Sequence, residues 1–279
     1  MKTRLVSLSS TLRLAYIEHG SPDGEPIIFL HGVTDSCRAF EPVLRLLPER
    51  FRAFALSQRG HGDSSRPRGG YTYRDMSEDV RAFMDALSLP KAIVVGHSMG
   101  SMVGQRFAVD HPDRVDSLVL LGAFASMYQR PGLKEFVNAS ILPLTDPIAP
   151  EFVREWQLGT LARHIDPRFL ETVIAETLKV PSRVWHATFT SFLGTPDFSG
   201  DLSRLTMPVL VMWGDCDAYA SRDDQRRLMD VMPDARFIVY PGGGHAFHWE
   251  EPMRFVCDLL LFQRSIPVFD HQRAQLVHA

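Results

Sequence analysis

The stretch AIVVGHSMG at residues 92–100 decides the fold of this chain. Its apolar first half is typical of a strand buried on both faces in a parallel sheet, and a helical pattern continues from it to residue 109. Residues 96–100 match the pattern G-x-S-x-G. A strand, a sharp turn and a helix in this order are the context in which that pattern marks a reactive serine, so we predict Ser98 as a nucleophile.

The glycines on either side of Ser98 favour this interpretation over a purely structural turn. The turn has to hold the serine in a strained backbone conformation, and larger side chains at positions 96 and 100 would collide with the neighbouring strand and helix. The N-terminus of the following helix also favours negative charge that develops nearby.

Further strands and helices alternate on both sides of this segment. Helical periodicity at 76–87, 222–232 and 253–262 separates several short apolar runs, and the alternation at 6–16 predicts an N-terminal antiparallel hairpin. The chain is therefore predicted to be an α/β protein with a mostly parallel, doubly wound sheet. The apolar runs that predict its other strands lie at 26–30, 54–56, 118–121, 209–213 and 237–240.

Residues 123–205 interrupt this alternation. The stretch lacks convincing buried strands, contains helical segments at 152–163 and 168–179, and is punctuated by prolines. We predict a helical cap inserted into a core of residues 1–122 and 206–279, over the C-terminal edge of the sheet. Large apolar side chains of the cap are candidates either for lining a substrate pocket or for packing within the cap: Met127, Trp156, Phe169, Trp185, Phe189 and Phe192.

A serine nucleophile needs a general base, which is usually a histidine. His245 follows the predicted strand at 237–240 and a run of three glycines that could carry an imidazole toward Ser98. His248 is the alternative, but no glycine run directly precedes it and a helix is predicted to start shortly after it. We favour His245.

A carboxylate is expected to orient the histidine, and the expected chain order is serine, acid, histidine. Asp215 and Asp217 both lie just beyond the predicted strand at 209–213. An aspartate inside the tight turn, such as Asp215, often caps backbone N–H groups, whereas Asp217 can reach out of the turn. We favour Asp217, also because residues 122–126, after the preceding strand, contain no carboxylate.

Negative charge on a substrate carbonyl oxygen needs hydrogen-bond donors that are already in place. The backbone N–H of Met99, directly after the nucleophile, is one expected donor. The loop after the strand at 26–30 begins His31-Gly32-Val33, and the N–H of Val33 is the expected second donor. His31 itself is expected to satisfy buried backbone groups.

Composition argues against several other classes. The net charge of −3, with scattered basic residues, argues against a nucleic-acid partner, and no apolar run is long enough to cross a membrane. The three cysteines form no C-x-x-C and there is no H-E-x-x-H, which argues against a disulfide framework and a metal site. We expect a cytoplasmic protein that has neither signal peptide nor cofactor.

These segments together resemble the α/β-hydrolase superfamily, most closely its small esterases, lactonases and cofactor-free, haloperoxidase-like perhydrolases. The resemblance covers residues 26–262 and includes RGHGDS at 59–64, which looks like the family's structural turn beneath the site. It implies an α/β-hydrolase fold with a helical cap. By the same resemblance, the catalytic triad is Ser98, Asp217 and His245, and the oxyanion hole is formed by Val33 and Met99.

The implied activity is that of a carboxylic ester hydrolase. Its substrate would be a small, moderately hydrophobic ester or lactone, cleaved through an acyl-enzyme by a monomer or homodimer. Ser98 argues against the dehalogenases and epoxide hydrolases of this fold, which use an aspartate nucleophile. Perhydrolysis, enol-lactone opening and C–C bond hydrolysis are alternatives with the same triad. A hydrolase-like receptor that signals through a protein partner is an alternative of another class, because fold and triad do not determine function.

Overall fold

The computed structural model of the chain describes residues 1–266, and within them one sheet of eight strands forms the centre of the molecule. The strands are β1 (Thr3–Ser7), β2 (Arg13–Gly20), β3 (Glu25–Leu30), β4 (Phe51–Ser57), β5 (Ala92–His97), β6 (Val115–Leu121), β7 (Val209–Gly214) and β8 (Arg236–Tyr240).

Helices connect most of these strands. They are α1 (Glu41–Leu44), α2 (Tyr73–Ala86), α3 (Met99–Asp110), α4 (Pro131–Phe136), α5 (Pro150–Leu158), α6 (Pro167–Thr177), α7 (Ser182–Gly194), α8 (Arg222–Val231), α9 (Phe247–Glu250) and α10 (Pro252–Ser265). A π-helical turn at Val137–Ile141 continues α4.

The sheet has the order β1-β2-β4-β3-β5-β6-β7-β8. Strand β2 pairs antiparallel with β1 and with β4, and all the other neighbours are parallel. The predicted N-terminal hairpin and the mostly parallel sheet are thus confirmed. Because parallel strands end at the same edge of a sheet, the loops that follow β3, β5, β7 and β8 meet above the centre of the sheet.

Apolar side chains cover both faces of the sheet, which explains why its central strands are apolar without alternation. In β5, Val94 points into one buried cluster, whereas Ile93 and Val95 point into the other. The cluster around Val94 continues into the helices between β6 and β7, where it includes Trp185 and other aromatic residues.

The segment between β6 and β7 is helical, as the sequence predicts. The predicted helices at 152–163 and 168–179 correspond to α5 and α6, although α5 ends at Leu158. Helix α7 was not predicted. The cap boundaries at 123 and 205 stay a prediction, and residues 267–279 of the predicted core lie outside the described residues.

Candidate active site

Ser98 lies at the tip of the turn between β5 and α3, with φ +53° and ψ −117°. This left-handed backbone conformation is strained for a residue with a side chain, and such strain persists only where the surroundings hold it. The Ser98 N–H donates to the Leu121 carbonyl at 3.0 Å, and the Gly100 N–H donates to the His31 carbonyl at 3.1 Å. The Ser101 hydroxyl donates to the Ser98 carbonyl at 2.6 Å. The turn is therefore anchored on both sides of the serine.

Close backbone approach explains the glycines of the motif. A Cβ at Gly96 would lie 2.2 Å from the Gly100 carbonyl oxygen, and a Cβ at Gly100 would lie 2.1 Å from the Leu30 carbonyl oxygen. Backbone atoms cannot give way as the end of a side chain can, so neither position accepts a larger residue without displacing the turn.

Asp217 and His245 meet above the ends of β7 and β8. His245 Nδ1 lies 2.8 Å from Asp217 Oδ2, and the Asp217 side chain is fully buried. The other oxygen, Oδ1, accepts the backbone N–H groups of Tyr219 at 2.8 Å and Ala220 at 2.9 Å. Because a carboxylate only accepts, Nδ1 of His245 carries a proton, which leaves Nε2 of a neutral ring as a base.

The rejected alternatives have other surroundings. Asp215 Oδ1 accepts the Gly242 N–H at 2.5 Å, as expected of an aspartate within the turn. Both ring nitrogens of His248 are buried without a hydrogen-bond partner among the described residues. Burial lowers the pKa of His248 to about 3, with the nearby His245 adding to the shift, so this ring stays neutral.

Val33 and Met99, the two residues predicted to donate their backbone N–H groups to an oxyanion, both line the same cavity as Ser98. His31 holds the loop from below: its Nε2 accepts the Gln58 N–H at 2.9 Å, and its carbonyl accepts the Gln58 side-chain amide at 2.9 Å. Burial, with the neighbouring His61, keeps the pKa of His31 well below its usual range. The structural role predicted for His31 agrees with these contacts.

The segment at 59–64 also holds loops together. The Arg59 guanidinium makes two hydrogen bonds of 2.6 Å to the Asp79 carboxylate on α2, and it also donates to the Gly70 carbonyl at 2.7 Å. Asp63 pairs with Lys179 of the cap at 2.9 Å. These contacts hold the turn against α2 and against the helical segment between β6 and β7.

A cavity of about 350 Å³ opens above Ser98 and His245. Met127, Trp156, Phe189 and Phe192, four of the residues expected to line a pocket, lie in its wall. The wall also contains Phe124 from the loop after β6 and Phe136 from α4. A largely apolar chamber over a few polar groups is typical of a small-molecule site.

Two of the expected pocket residues lie elsewhere. Trp185 is fully buried behind Phe189, against which it stacks, and its indole N–H donates to the Val180 carbonyl at 3.2 Å. Phe169 packs edge-on against Trp249. The expectation that Trp185 lines the cavity is therefore corrected: Trp185 shares a face of α7 with Phe189, one helical turn earlier, and it packs behind Phe189 and Trp156, which line the chamber.

Several cavity residues were not predicted. Asp35, five residues beyond the end of β3, and Gln157 on α5 both lie in the wall. His97 and Tyr219 also line it, and each ring lies against His245, with centroids 4.8 Å and 5.1 Å away. The nearness of His97 to Ser98 and of Tyr219 to Asp217 in the sequence was a usable signal for these two. No local pattern marks Asp35.

Residues 1–266 contain neither a membrane-spanning helix nor a cluster of metal-binding side chains. No helix in this range is both long and apolar enough to cross a bilayer. No group of three or more histidine, cysteine, aspartate or glutamate side chains in this range is arranged to bind a metal ion.

A doubly wound sheet with a strained serine turn after its central strand defines the class of the α/β hydrolases. The chain belongs to this family: residues 25–252 match the family described as alpha/beta hydrolase fold.

Individual relatives are consistent with that membership. The chain is 30% identical over 256 residues to a protein of Variovorax paradoxus that is provisionally named as the carbamate hydrolase RutD, covering 89% of this chain and 95% of the relative. It is 29% identical over 252 residues to the AB hydrolase superfamily protein YisY of Bacillus subtilis, covering 87% and 92%. Among solved structures, the esterase RhEst1 of a Rhodococcus species superposes with a TM-score of 0.82 at 25% identity, covering 96% and 100%. These findings support a hydrolase.

Proposed function

We propose that the chain is a serine hydrolase that cleaves small, moderately hydrophobic carboxylic esters or lactones through an acyl-enzyme. The observation that carries this proposal is the 2.8 Å contact between His245 Nδ1 and Asp217 Oδ2, because it orients a histidine that lines the same cavity as Ser98. A histidine oriented in this way can take the proton of a serine hydroxyl.

The mechanism has two steps. Ser98 Oγ attacks the carbonyl carbon and transfers its proton to His245 Nε2, while the carbonyl oxygen becomes negative and accepts the N–H groups of Val33 and Met99. The proton on His245 passes to the leaving alcohol as the C–O bond breaks. A water molecule then attacks the acyl-enzyme, with His245 as base, and releases the acid and the free serine.

The surroundings of the site favour uncharged, compact substrates. The cavity of about 350 Å³ is at the small end of ligand pockets, and its walls are largely aromatic and aliphatic. We expect the protein to act in the cytoplasm as a monomer or homodimer. All three cysteines are free thiols, which is consistent with a reducing compartment.

Substitution of Ser98 tests the proposal directly. Ser98→Ala removes only the hydroxyl, so the variant should fold while its turnover of p-nitrophenyl butyrate falls by at least about 10³-fold. A fluorophosphonate probe, which loses fluoride to a reactive serine, should label Ser98 of the unmodified protein. Ser203→Ala, at an exposed serine outside the site, is the matched control.

Undiminished turnover by Ser98→Ala would refute the assignment of the nucleophile. A panel of esters, lactones and carbamates then defines the substrate class. Carbamates are included because a relative is provisionally named for their hydrolysis.

A further inference from the structure

The cavity has one polar corner that the proposed mechanism does not use. Asp35 lies there with only 4% of its surface exposed, in the loop that also carries Val33. Its Oδ1 accepts the side-chain amide of Gln157 on α5 at 3.0 Å. No residue of the described chain donates a hydrogen bond to its Oδ2. One carboxylate oxygen is thus held by the cap, and the other lacks a partner.

His97 contributes a second unpartnered atom to this corner. A Cβ at Gly32 would lie 3.0 Å from both Asp35 Oδ2 and His97 Nδ1, so these two atoms flank the same glycine. His97 Nδ1 is buried and has no hydrogen-bond partner within residues 1–266. The absence of a side chain at Gly32 lets both atoms lie this close to the loop, because a Cβ there would crowd each of them.

Both atoms of the corner are acceptors. His97 Nε2 lies 3.0 Å from the His245 carbonyl, which can only accept, so the ring proton is on Nε2 and Nδ1 has a free lone pair. Burial, with His248 and His245 nearby, holds the pKa of His97 well below its usual range, so the ring is neutral. Burial raises the pKa of Asp35 to about 7, against the opposing effects of Gln157 and His245. Above that pH, two acceptors face the corner without a donor.

Two buried acceptors without a donor destabilise the folded protein unless a ligand donates hydrogen bonds to them. A carboxylate oxygen that leaves bulk water without gaining a donor is destabilised, as other unpaired buried polar groups are. The hydrogen bond to Gln157 needs only one acceptor oxygen at position 35. An asparagine or a threonine at that position would also provide one. The second oxygen of Asp35 therefore points to a role toward something that enters the cavity.

We propose that Asp35 Oδ2 and His97 Nδ1 form a subsite for an N–H or O–H donor that the substrate carries close to its scissile carbonyl. The preferred substrates are then hydroxy- or amido-substituted esters rather than plain alkyl esters. This inference rests on the proposed ester hydrolysis and adds a specificity determinant to it. The loop that binds the substrate's donor group also supplies the Val33 N–H. Recognition of the donor is therefore coupled to the position of the substrate carbonyl.

Three esters test the subsite. Ethyl 3-hydroxybutyrate adds a donor on the acyl side of ethyl butyrate, and 2-hydroxyethyl butyrate adds one on the alcohol side. Hydrogen bonds to a charged acceptor contribute about 1.5–3 kcal/mol, so at pH 8 one hydroxy ester should exceed ethyl butyrate about 10- to 150-fold in kcat/KM. The hydroxy ester with the higher kcat/KM shows whether the acyl side or the alcohol side of the substrate reaches Asp35.

Asp35→Asn supplies the matched variant. Its amide oxygen can still accept from Gln157, which turns the amide N–H groups toward the corner and replaces an acceptor by a donor. The preference for the hydroxy ester should collapse to within about threefold of unity. Thr177→Val is the structural control, because it removes the other acceptor of the Gln157 amide, at 2.7 Å, without touching the corner, and should preserve the preference.

The outcomes separate the inference from the function on which it rests. Equal kcat/KM for all three esters in the unmodified protein overturns the subsite and leaves ester hydrolysis standing, and this measurement does not depend on the folding of any variant. A preference that persists unchanged in Asp35→Asn also overturns the subsite. Absence of turnover for every ester overturns the proposed function and the inference together.

Discussion

The buried carboxyl of Asp35 makes the stability of this protein depend on pH. In the folded chain its pKa is about 7, against an ordinary value of 3.8, because burial disfavours the charged form. Between these values the folded state keeps a proton that the unfolded chain has released. Stability associated with this group is therefore present below about pH 4 and is lost as the pH rises toward and through 7.

Asp35→Asn is expected to remove this dependence. Relative to the unmodified protein, the variant should gain free energy of unfolding as the pH is raised, by up to about 4 kcal/mol between pH 4 and pH 8. Urea unfolding at several pH values measures the difference. Asp23→Asn, at an exposed aspartate, is the control and should leave the curve unchanged. Parallel curves for Asp35→Asn and the unmodified protein would contradict the assigned shift.

Among single residues, the sequence predicts those that a short local motif marks. Ser98, Asp217 and His245 each follow a recognisable strand, and the structure brings Asp217 and His245 into contact. Asp35 was missed because its burial depends on Gln157, which lies 122 positions further along the chain. The burial of a polar side chain is decided by whatever packs over it, and no short segment of sequence contains that information.

Among the elements, α5 has a role beyond forming a wall. The indole N–H of its Trp156 donates to Thr34 Oγ1 at 3.0 Å, and Thr34 is fully buried with φ +70°. A β-branched residue in the left-handed region is strained. Because Thr34 directly follows Val33, the helix holds the loop that is proposed to stabilise the oxyanion.

Trp156→Phe should therefore slow the chemical step. The ring remains, but the Thr34 hydroxyl loses its donor and the strained loop can relax, so we expect kcat for p-nitrophenyl butyrate to fall about 10-fold with a smaller change in KM. Adding Thr34→Gly, which tolerates positive φ, should restore part of the loss. Trp185→Phe is the matched control, since its indole N–H bonds within the cap. An increase in KM alone would contradict a positioning role for α5.

Some helices were less predictable than the strands. The strands and the helices α2, α3, α8 and α10 were expected, because short apolar runs mark strands such as β5 and apolar residues at helical spacing mark helices such as α2. Helix α7 was not, since its segment SRVWHATFTSFLG mixes β-branched, aromatic and polar residues that have modest helix propensity. Packing stabilises it: Trp185, Phe189 and Phe192 on α7 are all buried. Tertiary contacts of this kind override local preference.

For the whole molecule, the cap and the sheet share one apolar cluster. Phe192 on α7 stacks on Tyr73 of α2, with ring centroids 5.3 Å apart and an interplanar angle of 12°, and both are among the largest fully buried side chains. The same cluster includes Val94 of β5 and Trp185 of the cap. A cap that buries its apolar face against the core has little stability of its own, so both should unfold together.

Phe192→Ala tests this coupling. Loss of the ring leaves a cavity at the junction and should lower the free energy of unfolding by about 3–5 kcal/mol. Because the contact joins the two parts, the urea midpoint should shift equally for near-ultraviolet circular dichroism, which reports aromatic packing, and for far-ultraviolet circular dichroism, which reports the backbone. Leu261→Ala, at a leucine with 63% of its surface exposed, provides a control with little expected effect. If the two signals separated into distinct transitions, the cap would be an independently folding unit, and its aromatic wall could open without disturbing the sheet.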